Sequence, residues 1–274
     1  MHYDPIKDRL GAFFSQRPLL QKGFYRGLDL FFLRAWHVHR ALDDLFRRLP
    51  QDREIRVLDA GTGFGQYADY IARTQPRARV LAVDIKDDYL DNARRYFAST
   101  AYADRVAFAI EDLTDLQADG PFDLILSVDV MEHIEDDRGV FRHFARVLAP
   151  GGFVVVNTPS DQGGSDVQGE GDASFISEHV RDGYNRDDLI SKLHEAGLGV
   201  EDVRYTYGRY GGAAWRWMIQ RPMKMMNRSM ASAAILPFYY APVLPVGLAL
   251  HALDVRTRNQ TGTGLLAIAR KPVA

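Results

Sequence analysis

The chain contains no cysteine, which excludes disulfides, thiolate metal sites and a cysteine nucleophile. It also lacks any large imbalance of charge. The 34 Lys and Arg stand against 36 Asp and Glu, for a formal net charge of -2, and a chain so balanced is not built as a whole to wrap nucleic acid. The opening "MHYDPIKDRLGAFF" has Asp4 and Asp8 where an export signal needs its basic end and apolar stretch, so a cytoplasmic protein is expected. No internal repeat, Ser-His-Asp arrangement or metal-ligand cluster of recognisable spacing is found, and no metal is expected. One further absence is local: from Val203 to Leu253 there is no acidic residue.

What is present is an alternation. "IRVLDA" (55–60), "ARVLAVD" (78–84), "RVAFAI" (105–110), "FDLILSV" (122–128) and "GFVVVN" (152–157) read as buried strands, and helix-period segments lie between them. In "VFRHFARVL", Val140, Phe141, Phe144, Val147 and Leu148 share one face. Asn185 caps a further helix that Gly197 ends, and "VEDVRYTY" (200–207) and "GLLAIAR" (264–270) supply two last strands. The pattern predicts one elaborated α/β domain with a doubly wound, mostly parallel sheet. Its parts are a helical cap over 1–50, with 30–46 the clearest helix, a core over 51–207, an insertion over 208–260 and a last strand over 261–274.

The stretch "VLDAGTGFG" (57–65) sets three glycines directly behind the first strand. Such a loop lets backbone N–H groups approach an anionic ligand at a helix N-terminus. Asp84 ends the second strand about 20 residues on, where a carboxylate can bind both ribose hydroxyls. Glu111 and Asp112 end the third, where an acid can accept from an adenine amino group. A dinucleotide site remains a minor alternative, because G-x-G-x-G lacks a glycine three residues after the second.

These residues resemble the class I S-adenosylmethionine-dependent methyltransferases, by "VLDAGTGFG", "VLAVDI", "AIEDL" (109–113), "FDLILSVDVMEHIED" (122–136) and "RVLAPGGFVVVNTP" (146–159). The resemblance covers roughly 55–205 plus the last strand. It implies a Rossmann-like seven-stranded sheet with an antiparallel last strand, with S-adenosyl-L-methionine as cofactor and S-adenosyl-L-homocysteine as product. By position, it implies that Asp59, Gly61, Gly63 and Gly65 surround the methionine moiety. Asp84 would hold the ribose, Ile85 would lie against the adenine, Asp112 with Leu113 would frame it, and Ser127 would border the cofactor from the fourth strand. Asp129, Glu132 and His133 fall where the fourth motif faces the methyl, and the cap would bring Arg34, Trp36 or His37 near. The Asn/Asp-Pro-Pro-aromatic stretch of nucleic-acid base methyltransferases is replaced by "SVDV", which argues against a nucleic-acid partner.

Methyl transfer needs a protein base only if the acceptor must first lose a proton. His133, His179 and Tyr184 are the catalytic candidates, each with packing or capping as its alternative role. The segment 158–174 is a loop placed to close over substrate or simply a surface loop. The insertion combines Arg204, Arg209, Arg216, Arg221, Lys224 and Arg228 with Trp and Met residues and the uncharged tract 229–253. The flanking strands belong to one sheet, so the chain must return to its starting side, and Pro237, Pro242 and Pro245 disfavour a straight spanning helix. The expectation is a monotopic segment on an anionic, inner-face membrane surface, delivering a hydrophobic or lipid-like acceptor. The alternatives are a packing or dimer surface serving a soluble acceptor, and a non-catalytic cofactor-binding membrane scaffold.

Overall fold

The computed structural model describes residues 18–163, 180–228 and 234–273. Seven strands form one sheet: β1 (Ile55–Ala60), β2 (Ala78–Asp84), β3 (Val106–Ile110), β4 (Phe122–Val128), β5 (Leu148–Pro159), β6 (Gly199–Thr206) and β7 (Gly264–Arg270). Their order is β3-β2-β1-β4-β5-β7-β6. β1 to β5 pair in parallel, while β7 lies antiparallel between β5 and β6. This is the Rossmann-like methyltransferase arrangement that the motif order implied.

The apolar runs sit at the centre because both faces of the sheet are covered. Val57, Val80, Leu124 and Val155 face one core. Against it pack α1 (Pro18–Phe31), α2 (Leu33–Arg48), α3 (Gln66–Thr74) and α4 (Asp87–Phe97). Leu58, Val83, Ile125 and Val154 face the other core, beneath α5 (Asp137–Val147) and α6 (Arg186–Glu195). Successive residues alternate between the two, as the pleat requires. The expected helix over 30–46 is divided: Phe32 is extended at φ -99 and ψ 114, so α1 and α2 leave it in different directions.

The insertion is a helical hairpin. Its outgoing arm runs unbroken from Arg209 to Arg228 as α7 (Arg209–Trp215), a π-helical segment (Arg216–Gln220) and α8 (Arg221–Arg228), and its returning arm is α9 (Leu236–Arg256). Ala214 and Met218 pack against Val243 between the arms, and the Tyr239 and Tyr240 hydroxyls donate to the Trp217 and Met218 carbonyls at 2.7 and 2.6 Å. The expectation that prolines break this tract is corrected. α9 is continuous through Pro242 and Pro245, and Pro237 sits in its first turn, where no intrahelical N–H is needed. The two interior prolines lie on the outward side, so the ring and the unpaired carbonyl of each disturb no packed neighbour.

Candidate active site

The glycine loop is fixed by its backbone before any ligand is considered. Gly61, Gly63 and Gly65 have φ of +79°, +54° and +82°, values that a residue with a Cβ rarely adopts. The Gly61 and Thr62 N–H groups both donate to Val83 O at 2.9 Å, binding the loop to β2. A Cβ on Gly61 would run into the Val130 methyl groups, whereas one on Gly63 would meet nothing within 4 Å. The loop is therefore packed at its base and open above Gly63.

Asp84 closes the side of this cradle. Its Oδ2 accepts from Gly63 N at 2.8 Å and its Oδ1 from Lys86 N at 3.0 Å. Each oxygen keeps a lone pair for a further donor. Ile85 and Ile110, 63% and 55% exposed, stand beside it as apolar walls open to a flat ring. Asp112 caps the turn after β3 by accepting from Thr114 N at 2.8 Å, with Leu113 buried behind it. Asp59 lies underneath, 2% exposed, and accepts from the Thr62 hydroxyl at 2.5 Å. Burial, with the neighbouring Asp84 charge, pushes its carboxyl up to about 7 against the Thr62 and Ala68 hydrogen bonds. It braces the loop from below and favours a cation placed beside it.

A second cluster gathers where β4 and β5 end. Asp129 holds a φ of +52°, uncommon for a residue with a side chain. Its carboxylate pairs with Arg34 from the first turn of α2 and accepts from Asn157 Nδ2 at 3.1 Å. Glu132, 1% exposed, accepts from the Thr158 hydroxyl at 3.1 Å, and burial raises its pKa to about 7. Among the described residues, the buried Asn157 Oδ1 and Ser127 Oγ have no hydrogen-bond partner. Buried polar atoms are nearly always paired, so the Asn157 oxygen, on the residue that bonds Asp129, fits a site completed by a ligand.

The Methyltransferase domain family model matches residues 34–203. The chain belongs to the class I S-adenosylmethionine-dependent methyltransferases. The methyltransferase GfsG of Streptomyces halstedii is 31% identical over 156 residues, covering 57% of this chain and 55% of that protein. The ubiquinone biosynthesis O-methyltransferase of Xanthomonas axonopodis pv. citri is 30% identical over 156 residues, covering 54% and 64%. The chain thus spans about half to two thirds of the length of these curated relatives. The phosphoethanolamine N-methyltransferase 2 of Haemonchus contortus, solved with S-adenosyl-L-methionine, has the same fold at a TM-score of 0.58, with 22% identity over 91% of this chain and 60% of that one.

The structure joins Asp59, the glycine loop and Asp84 by hydrogen bonds, with Ile85 next to Asp84, while Asp112 and Leu113 follow β3, which pairs with β2. Ser127 lies fully buried inside β4. His133 is half-buried on the turn beside Glu132. Tyr184 is corrected: it is 1% exposed in the lower core, with its hydroxyl 2.5 Å from Asp137 Oδ2 and accepting from Arg181 at 2.8 Å. Burial and the Asp137 carboxylate hold its pKa far above that of an ordinary phenol, so it holds structure rather than moving a proton. His179 lies outside the described residues, as does most of the loop 158–174.

Of the three cap candidates, only Arg34 reaches the site. Trp36 packs edge-on against His251, with ring centroids 5.5 Å apart, and His37 bonds Asp254, so both turn to the hairpin. Asn157, Thr158 and Tyr207 were not foreseen. The change from "VVV" to "NT" inside one strand was the signal for the first two, since polar residues interrupt a buried run where it reaches a site. A separate polar cleft of about 560 Å³, lined in part by Arg186, Arg204 and Arg258, lies at the β6 edge. None of the cradle residues lines it.

Proposed function

We propose that this chain transfers a methyl group to a hydrophobic or lipid-like acceptor taken from an anionic membrane surface on the cytoplasmic side. The observation that carries the finer reading is the outward face of α9. Phe238, Ala241, Pro242, Pro245, Val246, Ala249 and Leu253 are all exposed and all apolar, and only 17% of the helix's apolar window is buried. Beside it, Arg216, Arg221 and Lys224 are exposed on the outgoing arm, and Arg221 stacks on Trp217 at 4.9 Å. Apolar residues bordered by cations and an interfacial tryptophan suit anionic head groups over acyl chains.

By length and composition α9 is apolar enough to cross a membrane. Two facts favour lying in the interface instead. β6 and β7 are adjacent strands of one sheet, so the hairpin leaves and returns on one side. The carbonyls of Phe238 and Ala241, four residues before the prolines, have lost their intrahelical donors, a cost that water at the interface removes and hydrocarbon does not.

The bound cofactor supplies a methyl group already activated on sulfur, so the chain's own work is holding and orienting. Asp84 would bind the ribose hydroxyls through the lone pairs left free by Gly63 and Lys86, and Asp59 would face the cationic end. Arg34 and Asp129 form the side of the site turned to the acceptor. Relatives named as ubiquinone biosynthesis O-methyltransferases support an oxygen acceptor. The test is incubation with methyl-labelled S-adenosylmethionine and a membrane lipid extract. Label in an organic-extractable product is expected. Cofactor binding without any labelled product would leave the scaffold reading, and label only in water-soluble products would return a soluble acceptor.

A further inference from the structure

One buried carboxylate joins three elements that are far apart in sequence. Asp254, fully buried near the end of α9, lies 2.9 Å by Oδ1 from His37 Nε2 on α2, and its Oδ2 accepts from Gly211 N on α7 at 2.8 Å. Both hairpin arms and the cap helix are thus bound at one point. The contact is close: a Cβ on Gly211 would run into the Leu33 side chain, and Arg40 donates to Val255 O at 3.1 Å. The first turn of the same helix reaches the active site. Arg34, one turn before His37, pairs with Asp129, and its N–H donates to the Tyr207 hydroxyl at 3.1 Å. Tyr207 is the hinge residue between β6 and the hairpin, with a φ of +55°.

Resting on the membrane reading above, we infer that α2 couples hairpin docking to the cofactor site, with His37 a positioning residue that sets Arg34 against Asp129 through Asp254. The physical basis is stiffness. A shift of the hairpin root must either carry α2 with it or break a buried hydrogen bond to a carboxylate, and packed interiors transmit such shifts instead of absorbing them. His37 and Arg34 lie three residues apart on one helix, so a displacement at Asp254 reaches Asp129 without any flexible link. Docking that steadies the hairpin steadies the Arg34–Asp129 pair beside the cradle and tightens cofactor binding.

Coupling between two binding sites is reciprocal, so the test needs no turnover. With the full chain, S-adenosylhomocysteine affinity is measured by calorimetry with and without vesicles of mixed phosphatidylglycerol and phosphatidylcholine. Vesicle affinity is then measured with and without S-adenosylhomocysteine. The same factor, at least fivefold, is expected in both directions. His37→Leu should bring the factor to about one while the protein still binds vesicles, and His37→Gln, which keeps a donor near Asp254, should restore part of it. If wild type binds vesicles and S-adenosylhomocysteine independently, or if His37→Leu keeps the full factor, the coupling is overturned and the membrane reading stands. Absence of vesicle binding overturns both. Should His37→Leu fail to fold, reciprocity in the wild type decides alone.

Discussion

The cradle and the hairpin solve opposite problems. Around Gly61–Gly65 nearly every polar group is assigned a partner in the protein: Val83 O takes two amides, Asp84 takes two more and Thr62 bonds Asp59. On α9 an entire apolar face is exposed, and Phe238 is 80% exposed. A site that binds a small polar ligand is preorganised by backbone geometry. A surface that meets a fluid partner needs only composition and reach. The family match ends at Val203, within β6, and so takes in the cradle and stops short of the hairpin.

The largest separation between the two regions comes from Asp84→Ala. If Asp84 holds the ribose as proposed, two charge-assisted hydrogen bonds at ~1.5–3 kcal/mol each are removed, so S-adenosylhomocysteine affinity should fall on the order of a thousandfold in calorimetry. Vesicle affinity measured without ligand should stay put. A cofactor affinity unmoved by the substitution would remove Asp84 from the site.

That same contrast explains what was legible in the sequence. Positive φ leaves glycine almost no substitutes, so "GTGFG" reveals a loop's shape directly. Apolar strands of five to seven residues announce themselves by length, and Asn185 caps α6 as expected, accepting from Asp187 N and Asp188 N. Long-range pairing was not legible. His37 and Asp254 are separated by 217 positions, and nothing local in either residue names the other. Tyr184 sits in a loop-like stretch that its sequence neighbours leave polar, yet Asp137 and Lys192 draw it under the sheet. The prolines of α9 misled because local propensity ignores where they point. On an outward face they cost the helix two hydrogen bonds without a clash against the core.

Reversing Arg216, Arg221 and Lys224 to Glu tests the hairpin from its electrostatic side. Each cation near an anionic surface contributes ~1 kcal/mol, and reversal adds repulsion, so co-sedimentation with anionic vesicles at 0.1 M salt should weaken by more than about a hundredfold. Cofactor affinity in solution should not change. The difference from wild type should shrink as salt shortens the screening length from ~10 Å at 0.1 M to ~3 Å at 1 M. Equal binding by wild type and variant would make the arm a packing surface.

The cradle has its own pH signature. The folded Asp59 carboxyl titrates at about 7 against an ordinary 3.8, and Glu132 at about 7 against 4.5. Between those limits the folded state holds protons that the unfolded state has released, so stability falls as pH rises. Denaturant melts of the ligand-free protein should show a loss on the order of 4 kcal/mol between pH 5 and 7, about 2 from each acid. Asp59→Asn should flatten the slope while weakening cofactor binding, because the cationic end of the cofactor loses its buried partner. A wild-type stability that rises with pH over this range would mean both acids are ionised in the folded state.

The smallest expected effect sharpens the comparison most, because it separates a lipid from a second copy of the chain as the partner of α9. Phe238→Ser removes one exposed ring near the start of the helix, far from the buried Asp254 and His251 at its other end. Burying an aromatic side chain is worth ~1.5–3 kcal/mol, and a ring lying in the interface gains the lower part of that. Vesicle affinity should therefore fall about tenfold, and the loss should persist at 1 M salt, where the contribution of the basic residues is screened. Folding stability should hold, since the ring touches no core. If α9 were instead a dimer surface, the same substitution would change the sedimentation of the free protein and leave vesicle binding alone. Analytical ultracentrifugation beside co-sedimentation distinguishes the two outcomes, and a shift in self-association without a loss on vesicles would move the apolar face of α9 from the membrane to the protein partner.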